Sequence, residues 1–569
     1  MRHKQFYLIM TILILISIVA WLFAGRRTVS ASPGYTDPVI PAAWAALKEG
    51  SAFTDQPEIM AAEKRYSPRE LGSFFTNDGD YMLSLPVLRE CAHTLVFADG
   101  GHTIRMFRGS DVISVDLSSD SVTVNGFTEK HAGCVLSIGG EYYVSANCFG
   151  RLLGFEWLKW DGGKTAEIRE TKLNYLPPKF SYADIGKLPE VQNQGDLGTC
   201  WAFAPLSAAE STLLPGEKGV FSRDHMVLCN SYGAMYFGGS RQAALSYLLS
   251  WQGPVLDEDD VYGDGQADLS LAAAYHVQNA EIFNDPSVED IKEAVFLYGG
   301  AEASLYLCFA DETAYSDAFR YYNEDEAAYC YFGKRPVNHD VLIVGWDDGY
   351  PKSNFKNNAN IAGNGAFLCL NSWGKSFGKD GLFWVSYYDT SIAATGMCLK
   401  GIEPADNYDH IYQTDLCGIT ADIGYQSDTA WFANAYTAGG DEWLEAAGFY
   451  TLGADSAYEI YLVHDFEGPD DFSRRLLLKT GVIDGEGYTT VKFDSRIPLR
   501  KHEKFAVVVK LVTPDVFYPI GAEQRTEDAP NVNLKDGEGY ISPTGARFKR
   551  TEDTLSCNVC LKVYTTDGN

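Results

Sequence analysis

Basic residues are few in this 569-residue chain: 46 Lys and Arg stand against 76 Asp and Glu, which gives a formal net charge of −30. Nucleic acids and anionic bilayers attract basic surfaces, so a chain with this imbalance is repelled by them. The composition therefore argues against nucleic acid or an anionic membrane surface as the main partner. The length is too great for a single hydrophobic core and predicts several domains.

Patterns for metal binding are also lacking. The twelve cysteines are too sparse for the fold to depend on disulfides as a small secreted scaffold does. Cys557 and Cys560 form one C-x-x-C without the further ligands that zinc requires, so we expect buried apolar side chains or a local disulfide. The acidic stretch Asp257–Asp268 does not place ligands at EF-hand positions, which favours a solvated loop. The sequence predicts no metal and no organic cofactor.

One long apolar run is present, at the N-terminus. Basic residues precede Tyr7–Gly25, and Val29-Ser30-Ala31 offers small residues for signal-peptidase cleavage. The run is also near the minimum length for crossing a bilayer. Residues 1–31 are therefore interpreted as a signal peptide or an uncleaved signal anchor. We expect the protein to be extracellular or at the cell surface, with membrane contact only through such an anchor.

Periodicity divides the rest of the chain. Residues 32–80 are poorly periodic and are interpreted as a linker. Residues 81–165 combine helix-to-strand patterns with alternating strands, and Asn125-Gly126 is a hairpin signal. From residue 405 to 569 short strand patterns are separated by Gly, Asp and Pro turns, which is typical of an antiparallel sandwich. These strands are Ala457–Val463, Tyr488–Asp494 and Lys504–Val512.

The stretch "VQNQGDLGTCWAFAPLSAAES" contains the candidate nucleophile, Cys200. Thr199 is a suitable cap for a helix that begins at Cys200, and the helix dipole would then lower the pKa of the thiol. A thiol nucleophile also needs a base and a group that orients the base. His339 begins an apolar strand, and Asn371 follows another, with Trp373 beside it. A lone Cys or His usually has no catalytic role, but these segments supply different parts of one mechanism.

Together these segments resemble the papain-like cysteine peptidases, which use a Cys-His-Asn arrangement. The resemblance implies that Cys200 is the nucleophile and that His339 is the base and later the acid. It also implies that Asn371 orients His339 and that Trp373 covers their hydrogen bond and shapes the leaving-group side. The implied fold over residues 180–402 is two-lobed, with a helical lobe and a β-barrel-like lobe.

The same resemblance implies two binding features. Gln194 matches the oxyanion-hole glutamine, whose amide would act together with the Cys200 backbone N–H. Gly238 and Gly239, in "YFGGSRQAALSYL", match the wall along which the substrate backbone lies. A side chain there would block the approach of an extended peptide.

Several residues depart from the family pattern. Leu197 replaces the cysteine that would pair with Cys229, so we predict that this family disulfide is absent. Pro205 lies inside the predicted catalytic helix, where it removes a backbone donor and favours a kink. Residues Asp347–Ala366 lengthen the connection before Asn371 and are interpreted as a surface insertion. No helical inhibitory propeptide is recognisable before Lys187.

The flanking segments resemble other modules. Residues 81–165 resemble the small stalk domain of copper amine oxidases, which implies a spacer or adhesive module without oxidase chemistry. Residues 405–569 are similar to the lectin-like domain of some bacterial exported cysteine peptidases. That likeness implies a cell-surface glycan partner, although Trp431 and Trp443 are expected to be core aromatics rather than sugar platforms.

The expected fold class is α+β multidomain: a small β/α stalk-like module, a two-lobed peptidase core and a β-sandwich. The expected function is hydrolysis of peptide bonds in proteins or peptides through an acyl-enzyme. Two alternatives stay open: a wall-peptide amidase with the same triad, and a non-catalytic surface adhesion protein. We further predict that the N-terminal module is not an autoinhibitor.

Overall fold

The structure is a computed structural model, which describes residues 176–569 except 215–216, 218, 308–320, 357, 536 and 569. Before residue 176 it describes 58–61, 64–66, 74–75, 81–84, 96–98, 103–108, 111–117, 121–124, 127–130, 135–138, 141–146, 155–160 and 165–170. The apolar run Tyr7–Gly25 and the predicted cleavage site lie outside these residues. Within them, no helix is long and apolar enough to span a bilayer.

The chain divides into two compact units, residues 1–106 with 111–172 and residues 107–110 with 173–569. The first unit contains short strands arranged in three sheets, ordered β12-β13-β1-β2, β10-β11-β4-β3 and β5-β6-β7-β8-β9. These strands are β1 Glu58–Ala61, β2 Lys64–Tyr66, β3 Phe74–Phe75, β4 Tyr81–Ser84, β5 Val96–Ala98, β6 Thr103–Arg108, β7 Asp111–Asp116, β8 Ser121–Val124, β9 Phe127–Lys130, β10 Val135–Ile138, β11 Glu141–Ser145, β12 Phe155–Trp160 and β13 Thr165–Glu170.

The strands of this unit can be compared with two features of the sequence, the Asn-Gly hairpin signal and the segment that was interpreted as a linker. Val124 pairs with Phe127, the two described residues that flank the predicted Asn125-Gly126 turn. In the second half of the segment that was interpreted as a linker, residues 32–80, β1 pairs in parallel with β13 and β3 pairs with β4. Segments of two to four residues are too short to show an alternation that can be recognised in a sequence.

The second unit begins with a mixed helical and strand region. Its helices are α1 Tyr182–Ile185, α2 Cys200–Leu213, α3 Arg223–Cys229, α4 Arg241–Leu249 and α5 Val288–Leu297. Its strands are β14 Lys179–Ser181, β15 Tyr275–Asn284, β16 Ala301–Leu305, β17 Tyr322–Asn323, β18 Ala328–Tyr329, β19 His339–Asp347, β20 Ala366–Leu370, β21 Leu382–Ser386 and β22 Thr395–Pro404.

Strand β19 has a central place in this region. It pairs with β16 on one side and with β20 on the other, all antiparallel. Helix α2 packs against β19, and both contribute to one hydrophobic core with Trp201, Leu206, Leu342 and Trp346 buried in it. The start of β19 and the end of β20 therefore lie beside the N-terminal end of α2, which brings three distant chain segments to one place.

The insertion between β19 and β20 is more ordered than a surface loop. It contains two short 3-10 helices, Lys352–Asn354 and Asn358–Asn360. Tyr350, Phe355 and Ile361 are buried in a small hydrophobic cluster that also contains Ala328 and Cys330. The insertion was expected to lie on the surface, but part of it packs against the segment around β18.

The C-terminal part of the second unit is a β-sandwich. Its strands are β23 His410–Tyr412, β24 Ala421–Ile423, β25 Thr429–Thr437, β26 Glu442–Thr451, β27 Ser456–Val463, β28 Leu476–Ile483, β29 Gly487–Leu499, β30 Lys504–Val512, β31 Ile520–Gln524, β32 Gly539–Ser542, β33 Lys549–Arg550, β34 Cys557–Val559 and β35 Leu561–Asp567, with α6 at Thr551–Leu555 and a 3-10 helix at Pro469–Arg474. The sequence had located β27, β29 and β30 to within a few residues. The apolar faces of two sheets form its core, with Phe432, Ile460 and Val507 opposite Phe449 and Val563.

One sheet continues through both parts of this unit, which the sequence did not predict. Strand β15 pairs with β29 of the sandwich, Asn279 opposite Thr489 and Glu281 opposite Gly487. The result is a thirteen-stranded sheet that runs from β17 to β23. The predicted boundary near residue 405 is therefore a change of sequence pattern within a continuous hydrogen-bonded sheet.

Candidate active site

Cys200 is the first residue of helix α2, which is buried along most of its length. The backbone carbonyl of Thr199 accepts from Ala202 N at 2.9 Å, but the Thr199 side chain does not cap the helix. Its hydroxyl is instead hydrogen-bonded to the Tyr262 hydroxyl at 2.8 Å. The expectation of a Thr199 side-chain cap was wrong, whereas the helix start at Cys200 is confirmed. The helix continues without interruption through Pro205 to Leu213.

His339 and Asn371 are in hydrogen-bond contact. His339 is the first residue of β19, and its Nε2 lies 2.7 Å from Asn371 Oδ1, with both side chains buried. The Asn371 oxygen can only accept, so this contact fixes the proton on Nε2 and leaves Nδ1 as the lone-pair nitrogen. The Trp373 ring covers this pair, with its centroid 4.8 Å from that of His339.

The Cys200 sulfur lies beside the residue that follows His339. It interacts with the backbone N–H of Asp340 and with the N–H groups of Cys200 and Trp201 at the start of α2. These donors favour a thiolate, as expected at a helix N-terminus. Burial acts in the opposite direction and has the larger effect, since it raises the pKa of Cys200 to about 12 and lowers the pKa of His339. Desolvation thus favours the neutral thiol and the neutral imidazole.

Gln194 is held in place from three sides. Its backbone N–H donates to Ser372 O at 2.8 Å, and its side-chain oxygen accepts from Ser372 Oγ at 2.5 Å. Its Nε2 donates to Leu197 O at 2.6 Å, which uses one of two amide hydrogens and leaves the other for a ligand. Sequence reasoning missed Ser372, whose only signal was its position between Asn371 and Trp373.

The structure gives different reasons for a glycine at each of the two positions of the proposed wall. Gly238 has φ +138°, and a Cβ atom there would meet nothing within 4 Å, so the space in front of it is open. A Cβ on Gly239 would lie 2.3 Å from the Trp201 ring. Gly239 is therefore required by packing against α2, and the role of the two glycines in substrate binding stays a prediction. Beside them Phe237 is 90% exposed.

Tyr262 is a second residue that the sequence did not reveal. Its hydroxyl donates to the Gln194 carbonyl at 3.0 Å while it is bonded to Thr199, and its ring meets the edge of Phe203 at 4.9 Å. It lies in the acidic stretch that was expected to be a solvated loop. Most of that stretch is exposed, but Asp260 is buried and Tyr262 is half-buried, so one side of it supports the site.

In the part of the chain that the structure describes, the other cysteines form no disulfide and the acidic groups form no metal site. Cys229 is a free, half-buried thiol, and Cys557 and Cys560 are free and buried, in agreement with the apolar alternative of the two that the sequence left open. Among the described residues, no group of three or more His, Cys, Asp and Glu side chains is placed to hold a metal ion.

Comparison with known proteins agrees with this geometry. The profile of the papain family cysteine protease matches residues 176–399, and that of the lectin like domain matches residues 411–565. Residues 176–399 are a papain-family cysteine peptidase domain. The peptidase domain is followed by the lectin-like domain, which confirms the order of modules expected from the sequence.

Among curated proteins, the probable cysteine protease RD19B of Arabidopsis thaliana is 26% identical over 221 residues, 37% of this chain and 57% of the relative. A viral cathepsin of Autographa californica nuclear polyhedrosis virus is 26% identical over 228 residues, 39% of this chain and 62% of that protein. The chain thus spans less than two thirds of the length of these relatives.

Two solved structures are similar over both domains. Clostridial cysteine protease Cwp84 after propeptide cleavage is 27% identical with a TM-score of 0.61, covering 68% of this chain and 99% of that one. The structure of the cysteine protease and lectin-like domains of Cwp84, described as a surface layer associated protein of Clostridium difficile, gives 26% identity and a TM-score of 0.60, covering 69% of this chain and 89% of the other.

Proposed function

We propose that the protein is an exported cysteine peptidase that hydrolyses peptide bonds in protein substrates by a Cys-His-Asn mechanism. The observation that carries this proposal is the 2.7 Å contact between His339 Nε2 and Asn371 Oδ1, together with a buried helix N-terminus that presents Cys200 to the neighbouring residue. The proposal requires the remaining nitrogen of His339, Nδ1, to exchange a proton with the sulfur.

In the proposed reaction Nδ1 of His339 takes the thiol proton as the Cys200 sulfur attacks the substrate carbonyl carbon. The second Nε2 hydrogen of Gln194 and the Cys200 N–H donate to the developing oxyanion. The protonated His339 then gives its proton to the leaving amine, which leaves a thioester. Water, deprotonated by His339, attacks this thioester and releases the carboxylic acid and the free thiol.

In this proposal Asn371 and Trp373 support His339, because the imidazole is buried. The lowered pKa of His339 means that an imidazolium is disfavoured there unless it is compensated. The Asn371 oxygen stabilises that charged form, since the same hydrogen bond raises the pKa. Trp373, beside the ring, keeps water away from the contact and so preserves its strength.

The test uses an epoxide inhibitor that alkylates active thiols and casein as a substrate. We expect the wild type to be labelled and to cleave casein, and Cys200→Ala to do neither. Cys229→Ala is the matched control, because it removes another half-buried thiol of the same domain; it should keep both properties. Labelling that survives in Cys200→Ala would contradict the assignment. Cleavage of wall peptide but not of casein would favour the amidase alternative. If the wild type cleaves neither, the adhesion alternative is favoured.

The proposed location is the cell surface or the surrounding medium. The apolar run Tyr7–Gly25 supports export, and the similarity to a surface layer associated protein points in the same direction. Fractionation with a C-terminal tag tests this: the peptidase should appear outside the cytoplasm, and removal of residues 1–31 should abolish that location.

Glycan binding by the lectin-like domain is proposed on the family match. Trp431 is not its platform, because it is buried and one ring face is covered by the Arg475 guanidinium at 4.5 Å. Trp443, which is half-buried, is the less covered of the two tryptophans. Binding of the full chain to a glycan array, compared with Trp443→Ala, tests this role.

We also propose that the N-terminal module is a stalk-like spacer and does not inhibit the enzyme. Proteolysis near Lys172, where the two compact units divide, should leave the rate of peptide hydrolysis unchanged. A sharp rise in rate on cleavage would contradict this proposal.

A further inference from the structure

Asp340 is an unpaired carboxylate next to the nucleophile. It follows His339 in β19 and is half-buried. No described residue makes a hydrogen bond to its carboxylate or comes within 4.0 Å as a salt-bridge partner. The Cys200 sulfur interacts with the Asp340 backbone N–H and also experiences its negative charge, which raises the pKa of the thiol. This charge opposes the thiolate, while the same carboxylate raises the pKa of His339 and so favours its charged form.

The Arg241 guanidinium experiences the charge of Asp340, but its hydrogen bonds go to another carboxylate. Ser304 lies directly opposite Asp340 in the β16–β19 pair, and Glu302 follows two positions along on the same face. The Arg241 guanidinium donates to Glu302 through Nε and again through Nη2 at 3.2 Å, and Nη2 also donates to Ser304 Oγ at 3.0 Å. Arg241 and Glu302 are both largely buried and cancel one another. The cluster therefore keeps one net negative charge, on Asp340.

This cluster lies where a substrate would pass. Arg241 is the first residue of α4, directly after the cap Ser240 and the glycines Gly238 and Gly239. Its bonds to β16 place the end of the glycine segment against the strand that faces Asp340. A peptide that lies along Gly238 with its carbonyl at Cys200 must cross the space between them. Its side chains on the acyl side of the cleaved bond would then pass near β19, the strand that carries Asp340.

We propose that Asp340 is a specificity-determining residue that binds the ammonium or guanidinium group of a substrate lysine or arginine on the acyl side of the cleaved bond. This rests on the proposed peptidase function. A substrate cation would supply the hydrogen-bonding partner that the Asp340 carboxylate lacks among the described residues. The contact would thus select a basic substrate.

The test compares peptidyl-coumarin amides that carry lysine or norleucine at each of the first three positions on the acyl side. Norleucine keeps the length of lysine and lacks its charge. The wild type should prefer lysine at one of these positions by about fivefold in kcat/KM, the upper range for a partly exposed ion pair. Asp340→Asn should bring that ratio close to one.

Asp259→Asn is the control for long-range attraction, because Asp259 is exposed and its loss changes the net charge equally. This variant should keep the lysine preference, which would show that the preference is local and not a result of the charge of −30. Asp340→Lys should favour glutamate over glutamine at the same position. Such a gain cannot come from misfolding, so it keeps the test decisive if Asp340→Asn is unstable.

The outcomes separate the two proposals. Cleavage by the wild type without a lysine preference at any of the three positions, or a preference that survives in Asp340→Asn, would overturn the assignment of Asp340 and leave the peptidase function intact. Absence of cleavage of every peptide by the wild type, with no labelling of Cys200, would overturn the proposed function itself.

Discussion

Replacement of Arg223 by methionine should destabilise the peptidase domain strongly, because it leaves a buried charge without its partner. Arg223 and Glu210 are 1% and 2% exposed, and their two direct contacts measure 2.5 and 3.1 Å. Arg223 also donates to Phe221 O at 2.6 Å and to Ser207 Oγ at 2.9 Å. Glu210 and Ser207 belong to α2, so this network fixes the helix that carries Cys200.

The magnitude of the destabilisation follows from the Glu210 carboxylate, which the substitution leaves buried without its cation. In Arg223→Met the Glu210 carboxylate keeps the Phe221 N–H at 2.9 Å but loses its cation in a site without water contact. Removal of one partner from a buried ion pair costs about 3–5 kcal/mol. For a unit of about 400 residues that corresponds to a fall in the thermal midpoint of about 4–6 °C. Arg474→Met, at a half-exposed surface pair, should cost under about 1 kcal/mol.

The loss should depend on pH in a defined direction. Burial raises the pKa of Glu210, and Arg223 opposes that effect. Without Arg223 the folded-state pKa rises further above the unfolded value, so the folded variant binds its proton more tightly. The destabilisation should be greatest above that folded pKa and should decrease as the pH falls through it.

Urea unfolding followed by circular dichroism, at about pH 8 and about pH 5.5, measures both effects. Glu210→Gln in the Arg223→Met background should recover part of the stability at the higher pH, since it removes the buried charge. A loss below about 1 kcal/mol at about pH 8, or a loss that grows on acidification, would refute the reasoning.

Three further changes have defined outcomes. Gln194→Ala should lower kcat by about 10²–10³ with a smaller effect on KM, as measured with a fluorogenic peptide, because one oxyanion donor is lost. Tyr262→Phe should lower kcat by about tenfold and the free energy of unfolding by about 1 kcal/mol, because the Gln194 carbonyl and the Thr199 hydroxyl lose a shared partner; an unchanged kcat would speak against a positioning role. A chain ended after Pro404 should aggregate on size-exclusion chromatography, since the edge of β15 that pairs with β29 is then exposed.

The catalytic segments could be predicted because each carries a local signal. Changes in periodicity mark three positions in the sequence. A polar segment gives way to an apolar one at the helix start at Cys200 and at the strand start at His339, and an apolar strand ends before Asn371. Their meeting in space is not local, and it came only from the likeness to the papain-like peptidases. Hydrophobic periodicity alone locates elements but does not say which of them are neighbours.

The contacts of Thr199 and Gly239 could not be predicted from the sequence, because they too depend on tertiary structure. A threonine before a helix is usually its cap, but the hydroxyl of Thr199 finds a better partner in Tyr262, which is distant in the chain. Gly239 was interpreted from the substrate side, while its close neighbour is the Trp201 ring within the protein. In both cases tertiary contacts replace the local role that the sequence suggests.

The junction between the peptidase and lectin-like domains shows what periodicity leaves open. An interior strand such as β15 has the same alternation whether its neighbour belongs to its own domain or to the next, so the sequence around residue 405 indicates two modules. Ile282 N donates to Glu486 O at 2.9 Å and Thr490 N to Asn279 Oδ1 at 3.1 Å, and the two modules share one sheet. Movement between them would break these backbone bonds, each of which must then be satisfied by water. The lectin-like domain is therefore a fixed extension of the peptidase fold rather than a tethered accessory, and any ligand it binds would be held at a set distance and direction from Cys200.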